Sequence, residues 1–289
     1  MNIQKWLNQN TTSLCGKLVA LSGATGGIGR ELCLYLCALG ANLVLINRSP
    51  KKSEALEREL RELYGDVSIT HVTADLEKFD TVKAAADELE NLPIDYLILN
   101  AGAYSIPRCI CDTGYDNVFQ INFIAPYYLA RRLLPKIRER GGKIVAVGSI
   151  AHGYSKTDTA DVDFRTRRAA SLVYGNAKRY LTYSLLSLAK DGCISIAHPG
   201  ITFTNITAHY PKLIFAIIKH PMKIIFMKPK AAALSILQGI YTPCKPYEWI
   251  GPMLFDVWGR PKKKPLGTAR KDEIERICDT AERIYSEIN

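Results

Sequence analysis

Nowhere does the chain carry the roughly 18 uninterrupted apolar residues that a membrane span needs. Its start, MNIQKWLNQN, also lacks the apolar core of a secretory leader. These absences argue against an integral membrane protein and a secreted one, and the expected location is the cytoplasm. Paired cysteine motifs are missing as well. The eight cysteines (Cys15, Cys33, Cys37, Cys109, Cys111, Cys193, Cys244, Cys278) show neither CxxC nor Cys/His ligand spacing. They are expected to be reduced, mostly buried thiols with no metal, and Cys33 and Cys37, one helical turn apart, fit helix packing. No repeat or low-complexity tract interrupts the chain, and 47% hydrophobic with 23% charged residues over 289 positions excludes disorder. Acidic residues are scarce in one stretch: from Asn205 to Arg270, nine Lys and two Arg face only Glu248 and Asp256, a net +9. Such a segment serves as a solvated basic face, or meets an anionic bilayer or an acidic partner; nucleic acid is not the partner expected.

What is present is a regular beat of apolar runs and amphipathic stretches. KLVALSG, ANLVLINRS, VSITHVTADL, IDYLILNAG, GGKIVAVGS and GCISIAHPG read as six strands. Rich in Val, Ile and Leu with little alternation, they fit strands covered on both faces. Between them lie helical segments such as SPKKSEALERELRELYG, where Ser49 or Ser53 can cap the start and Gly65 marks the end. The pattern predicts an α/β fold, a doubly wound parallel sheet of about seven strands in one domain over residues 1–289. After Gly200 the beat changes into an apolar, basic stretch with prolines at 211, 221 and 229, expected to be a broken helical excursion.

Between the first strand and a helix starting near Gly27 lies LSGATGGIGR, which reads Gly23-x-x-x-Gly27-x-Gly29. Glycines at such a turn permit a tight bend and let the backbone approach a pyrophosphate at the helix N-terminus. The spacing is not G-x-G-x-x-G, and by itself the cluster allows any nucleotide or a plain corner. Seven pieces in register decide more: Ser22-Gly23-Ala24-Thr25-Gly26-Gly27-Ile28-Gly29, Asp75-Leu76, Asn100-Ala101-Gly102, Asn122, Ser149, Tyr174-x-x-x-Lys178, and Pro199-Gly200 with Thr204. In this order the sequence resembles the short-chain dehydrogenase/reductase family, with its T/S-G-x-x-x-G-x-G signature and Rossmann fold. FQINFIAPYYLARRLLP, VGSIAH and AHPGITFTNI look like segments of its retinol dehydrogenase branch, which includes the WW-domain-containing oxidoreductase. The 25 positions from Ser149 to Tyr174 are similar to that branch too.

Reducing a ketone takes a hydride at carbon and a proton at oxygen, so the site needs a nicotinamide and a placed acid. Tyr174 is the candidate acid. A free tyrosine titrates near ~10, and Lys178, four residues on along a helix, can supply the positive charge that makes its phenolate accessible. The resemblance implies that Lys178 also holds the nicotinamide ribose, that Ser149 holds the substrate oxygen, and that Asn122 supports the lysine through a water relay. One departure is Ala177, where this branch usually carries serine.

Cofactor choice belongs at the end of the second strand, where a carboxylate would favour NAD and an arginine a 2′-phosphate. The chain has Ile46-Asn47-Arg48-Ser49 there, so NADP(H) is expected, with Asn47, Arg48 and the Thr25 hydroxyl among its contacts. The resemblance adds Ser22, Gly23, Gly27, Ile28 and Gly29 as the phosphate loop, Asp75 and Leu76 at the adenine, and Asn100, Ala101 and Gly102 behind the ribose. It places Pro199, Gly200, Ile201, Thr202 and Thr204 around the carboxamide, so that 14–204 would be the cofactor and catalytic core. Residues 205–230 fall where relatives carry a lid, and their apolar side chains favour a small lipophilic alcohol or carbonyl of the retinoid or steroid class. Residues 265–289 read as a C-terminal helix. The competing readings are a 3-oxoacyl carrier-protein-type reductase using the basic segment, a peripheral-membrane relative making weak contact with an anionic membrane, and a non-catalytic nucleotide sensor. Homodimers are frequent in the family, and the terminal helix could block one such face.

Overall fold

The computed structural model describes residues 2–189, 191–202 and 227–289. All six expected strands form, as β1 (Leu18–Ser22), β2 (Asn42–Asn47), β3 (Ile69–Thr73), β4 (Tyr96–Leu99), β5 (Lys143–Val147) and β6 (Ile194–Ala197). With β7 (Glu248–Leu254) and β8 (Trp258–Pro265) they make one sheet in the order β3-β2-β1-β4-β5-β6-β7-β8, parallel except for the β7–β8 hairpin. The sheet therefore has eight strands, where the sequence pattern predicts about seven. The extra strand, WGRPKKKP, escapes an apolar-run criterion because it lies at the edge, where lysines and prolines are tolerated and unwanted pairing is discouraged.

Helices cover both faces. On one lie α1 (Ile3–Asn10), α2 (Gly27–Ala38), α3 (Pro50–Tyr64) and α8 (Pro229–Tyr241), packed through Trp6, Leu32, Leu36, Leu60 and Leu237. On the other lie α4 (Phe79–Glu90), α6 (Ala125–Glu139), α7 (Ala170–Leu188) and α9 (Lys271–Ile288), packed through Phe123, Tyr128, Tyr180 and Ile277. A single turn, α5 (Asn117–Phe119), and a π-turn (Gln120–Ile124) lead into α6. The terminal helix begins at Lys271, because residues 258–265 belong to β8. α3 starts after Ser49 with Pro50 in its first turn and ends at Gly65, whose φ of 69° suits glycine. Ser49 makes no side-chain cap, and the Ser53 hydroxyl accepts a hydrogen bond from Asn47 instead.

Cys33 and Cys37 pack inside α2, and burial pushes both thiols up. The expectation of mostly buried thiols holds for four cysteines, since Cys15 and Cys109 are exposed and Cys111 and Cys278 half-buried. Among the described residues, no helix is long and apolar enough to cross a membrane.

Candidate active site

The chain runs outward from β1 to β3, then returns to lay β4 against the other side of β1. That reversal opens a crevice at the carboxyl ends of the strands, where doubly wound sheets bind their ligands. The predicted site residues Ser22, Asn47, Asp75, Asn100, Ser149 and Pro199 sit at or just past those ends.

One wall of the crevice is bare backbone. After β1 the chain bends at Gly23, φ 68°, and its N–H donates to Ile46 O at 2.9 Å. A Cβ there would lie 2.9 Å from Ala101 Cα, and one on Gly29 would overlap Gly23 O. Glycine is thus required at both places by close approach. Short buried polar groups fix the loop. Ser22 Oγ accepts from the N–H groups of Asn100 and Ala101, each at 3.1 Å, and Asn100 Nδ2 donates to Ser22 O and Gly23 O at 3.0 and 3.1 Å. Asn47 is 5% exposed; its Oδ1 accepts from Thr25 N–H and its Nδ2 donates to Ser53, so its side chain is committed to holding the glycine loop on α3. Arg48 beside it is exposed. Leu76 and Ile28 are packed in the core on opposite faces of the sheet, while Asp75 stays half-buried with Oδ1 accepting from Glu77 N–H at 3.2 Å.

The other wall carries reactive side chains. Ser149 follows β5 and caps a 3-10 turn (Ile150–Gly153), its hydroxyl accepting from Ala151 N–H at 3.2 Å. Its side chain also lies within electrostatic reach of the Tyr174 hydroxyl on α7. Burial pushes that hydroxyl up to about 12, against a smaller lowering by Ser149. The Tyr104 ring meets Tyr174 edge-on, centroids 5.3 Å apart. Lys178, one turn along α7, is 2% exposed and brings Nζ to 5.7 Å from the centre of the Tyr174 ring. One of its three donors goes to Val147 O at 2.9 Å, and burial lowers its ammonium to about 8.

Asn122 lies in the π-turn, a feature frequent at functional sites. Its amide closes a pair with Ala103, accepting from the N–H at 3.2 Å and donating to the carbonyl at 2.8 Å, and also donates to Val118 O at 2.9 Å. It makes no direct bond to Lys178; the two groups converge on Gly102, where a Cβ would lie 2.8 Å from Asn122 Oδ1 and 3.6 Å from Lys178 Nζ. Pro199 and Gly200 are buried after β6, and Thr202 bridges to Met227. Thr204 and positions 205–226 of the expected lid lie outside the described residues, and Pro229 and Lys230 already belong to α8. Ala177, in place of the branch's serine, is fully buried in the core.

Sequence reasoning missed three residues of this wall. Gly175 lets α7 press on the 3-10 turn, since a Cβ there would overlap Ala151 O. Arg179 and His152 are both 2% exposed, and Arg179 Nη1 donates to His152 O at 2.7 Å.

Residues 17–160 match the family model described as short chain dehydrogenase. A chloroplastic short-chain dehydrogenase TIC 32 A of Brassica napus is 30% identical over 258 residues, 83% of this chain and 78% of that one. The chain belongs to the short-chain dehydrogenase family. As a member of its retinol dehydrogenase branch it is an oxidoreductase acting on CH–OH groups with a nicotinamide cofactor. A polyprenol dehydrogenase of Mus musculus is 26% identical, covering 90% of this chain and 81% of that one. Retinol dehydrogenase 13 of Homo sapiens is 27% identical, covering 67% and 61%. Among solved structures, a protein from Mycobacterium Paratuberculosis shares the fold over 96% of both chains, with TM-score 0.75 at 21% identity. A short-chain dehydrogenase from Sphingobium yanoikuyae in complex with NADPH has TM-score 0.54 at 25% identity, covering 66% of this chain and 74% of that one.

The side chains present fit such a cofactor. The glycine loop leads into α2 at Gly27 through Gly26, which carries no side-chain cap, so the first N–H groups of that helix are the ones that would hold a pyrophosphate. Among the described residues, Lys178 Nζ donates only to Val147 O, which leaves two donors of this desolvated cation beside Gly102 for a ligand.

Proposed function

We propose that this chain is an NADP(H)-dependent oxidoreductase interconverting a lipophilic primary or secondary alcohol and its aldehyde or ketone, with Tyr174 as acid and base. The observation that carries the reading is the convergence of Ser149, Tyr174 and Lys178 at the end of β5, with Lys178 beside Gly102. When bound, the nicotinamide supplies or accepts the hydride. Tyr174, like any tyrosine, is a phenol at neutral pH, and burial pushes its hydroxyl further up, to about 12, so it holds a proton to give to a substrate oxygen. Ser149 Oγ steadies that oxygen as a second polar contact. In the oxidative direction Tyr174 takes the alcohol proton, and the Lys178 cation favours the phenolate this requires. Asn122 holds the Gly102–Ala103 backbone beside Lys178 and so keeps the lysine's surroundings in place.

Preference for NADP(H) is supported by Arg48, exposed at the end of β2 where the sequence Ile46-Asn47-Arg48-Ser49 carries no acid, with Glu77 from the segment after β3 within its electrostatic reach. Asn47 next to it is spent on the loop, which leaves Arg48 and Thr25 as the groups for a 2′-phosphate. The NADPH-bound Sphingobium relative points the same way. A lipophilic substrate is supported by Tyr104 and Tyr154 beside Tyr174 and by Ile106 and Leu172, which pack with Tyr174 against the apolar cluster of Val118, Phe164 and Val173, and by relatives named for polyprenol and retinol. A panel of lipophilic aldehydes and ketones, followed by NADPH or NADH oxidation, tests the reading. Turnover of at least one member with NADPH well ahead of NADH is expected; turnover with NADH alone would refute the cofactor assignment.

A further inference from the structure

Arg179, the residue after Lys178, is one of the least accessible side chains of the protein. All three of its nitrogens are engaged. Nε and Nη2 donate to the two oxygens of Glu273 at 2.8 and 2.7 Å, Nη2 also to Thr268 O at 2.9 Å, and Nη1 to His152 O at 2.7 Å. Glu273, 5% exposed on α9, accepts in addition from the Thr157 N–H at 3.0 Å and its hydroxyl at 3.3 Å. One guanidinium thus ties together the helix of Tyr174, the 3-10 turn, the segment after β8 and the C-terminal helix. The turn it grips is the one that Ser149 caps. From below, Gly175 sets that turn directly on α7.

A buried ion pair is a poor device for stability alone, because desolvating both charges offsets much of their attraction and an apolar pair of similar volume commonly does as well. What the pair adds here is direction, through bonds from one planar group to three fixed acceptors. We propose that Arg179 and Glu273 are positioning residues for the reaction. By holding His152 O they keep the Ser149 turn in register with Tyr174, and they make the C-terminal helix part of the active-site scaffold. The inference rests on the roles given above to Ser149 and Tyr174. The charged or titratable groups around Tyr174 are Lys178 on its own helix and Tyr104 and Tyr154 from neighbouring loops. Those around Arg179 are Glu273, His152 and Tyr183, whose ring centre lies 5.5 Å from the guanidinium carbon. Loosening the turn weakens the influence of the Ser149 side chain, which opposes the upward push on the Tyr174 hydroxyl.

The test compares wild type, Arg179→Lys, the double variant Arg179→Met with Glu273→Leu, and Tyr174→Phe. The double variant leaves no unpaired buried charge, and Arg179→Lys keeps a cation beside Glu273 but cannot reach all the acceptors at once. Both are expected to show faster hydrogen exchange over residues 149–154 in the cofactor-free protein. Both should show kcat lowered about tenfold, as small misplacements in active sites do, with the KM for NADPH within about twofold. The pH midpoint of alcohol oxidation should move upward, a shift that mere loss of folded protein would not produce. A folded double variant with wild-type exchange, kcat and midpoint would overturn the proposal. Should the double variant not fold, wild-type values in Arg179→Lys would overturn it equally. Tyr174→Phe separates the two readings: if it turns over normally, the assignment of the site fails, and if it is inactive while the Arg179 variants behave as wild type, only the positioning role fails.

Discussion

The two walls of the crevice are built over different lengths of chain. The cofactor side is nearly all backbone, bent at Gly23, pressed close at Gly29 and pinned by the small side chains of Ser22, Asn47 and Asn100. The catalytic side is made of larger side chains, and its stays are remote, with Glu273 lying 94 positions from the arginine it holds. A loop made of backbone has few ways to be wrong, so its sequence is constrained locally. A wall assembled by long side chains depends on elements whose own sequence shows no sign of chemistry. Damage to the first wall should therefore appear as lost cofactor binding, and damage to the second as lost turnover.

Four substitutions or conditions would sharpen that contrast, beginning with the largest effect. Lys178→Met removes the buried cation facing both walls, and kcat/KM for carbonyl reduction should fall on the order of 10²-fold or more, with NADPH binding also weakened. Stopped-flow turnover and fluorescence titration would measure the two losses. Gly29→Ala forces a methyl group against Gly23 O, so NADPH affinity should drop about tenfold or more through the strain imposed on the loop. The kcat at saturating cofactor should stay within about threefold of wild type, if the two walls are separable. Arg48→Asp should lower the NADPH-to-NADH preference in kcat/KM by about tenfold or more, since a favourable charge-assisted contact becomes a repulsive one; an unchanged ratio would dismiss Arg48. The smallest effect is set by pH. Burial depresses Lys178 from 10.5 to about 8, so its cation is present below that value and lost above it. Carbonyl reduction should accordingly decline as pH rises through about 8, well below the range in which Tyr174 itself deprotonates.

The contrast also explains what could be read from the residues alone. Six strands announced themselves because both of their faces are covered, and the start of α2 near Gly27 followed from the glycines. Tyr174 and Lys178 were visible through their spacing and register with the other motifs. The edge strand β8 was not, because Arg260, Lys262, Lys263 and Lys264 are placed for solvent and for Glu248 and Asp256, not for a core. The structural use of Asn47 was hidden as well, since an asparagine at a strand end reads equally as a ligand contact. Glu273 offered one faint signal. It stands on the same buried stripe of α9 as Ile277, Ala281 and Ile284, and a carboxylate in line with apolar residues calls for a buried partner. That the partner would be the neighbour of Lys178 is a property of the packed fold, since α7 and α9 are far apart in sequence and are brought together by tertiary packing.

The central claim, that Tyr174 gives and takes the proton within a site whose other wall holds the cofactor, is tested most directly by Tyr174→Phe. With the best carbonyl from the panel, kcat should fall by about 10²-fold to 10⁴-fold, the range expected for loss of a general acid, while NADPH binding by fluorescence titration stays within about twofold of wild type. Full turnover in Tyr174→Phe would contradict the account.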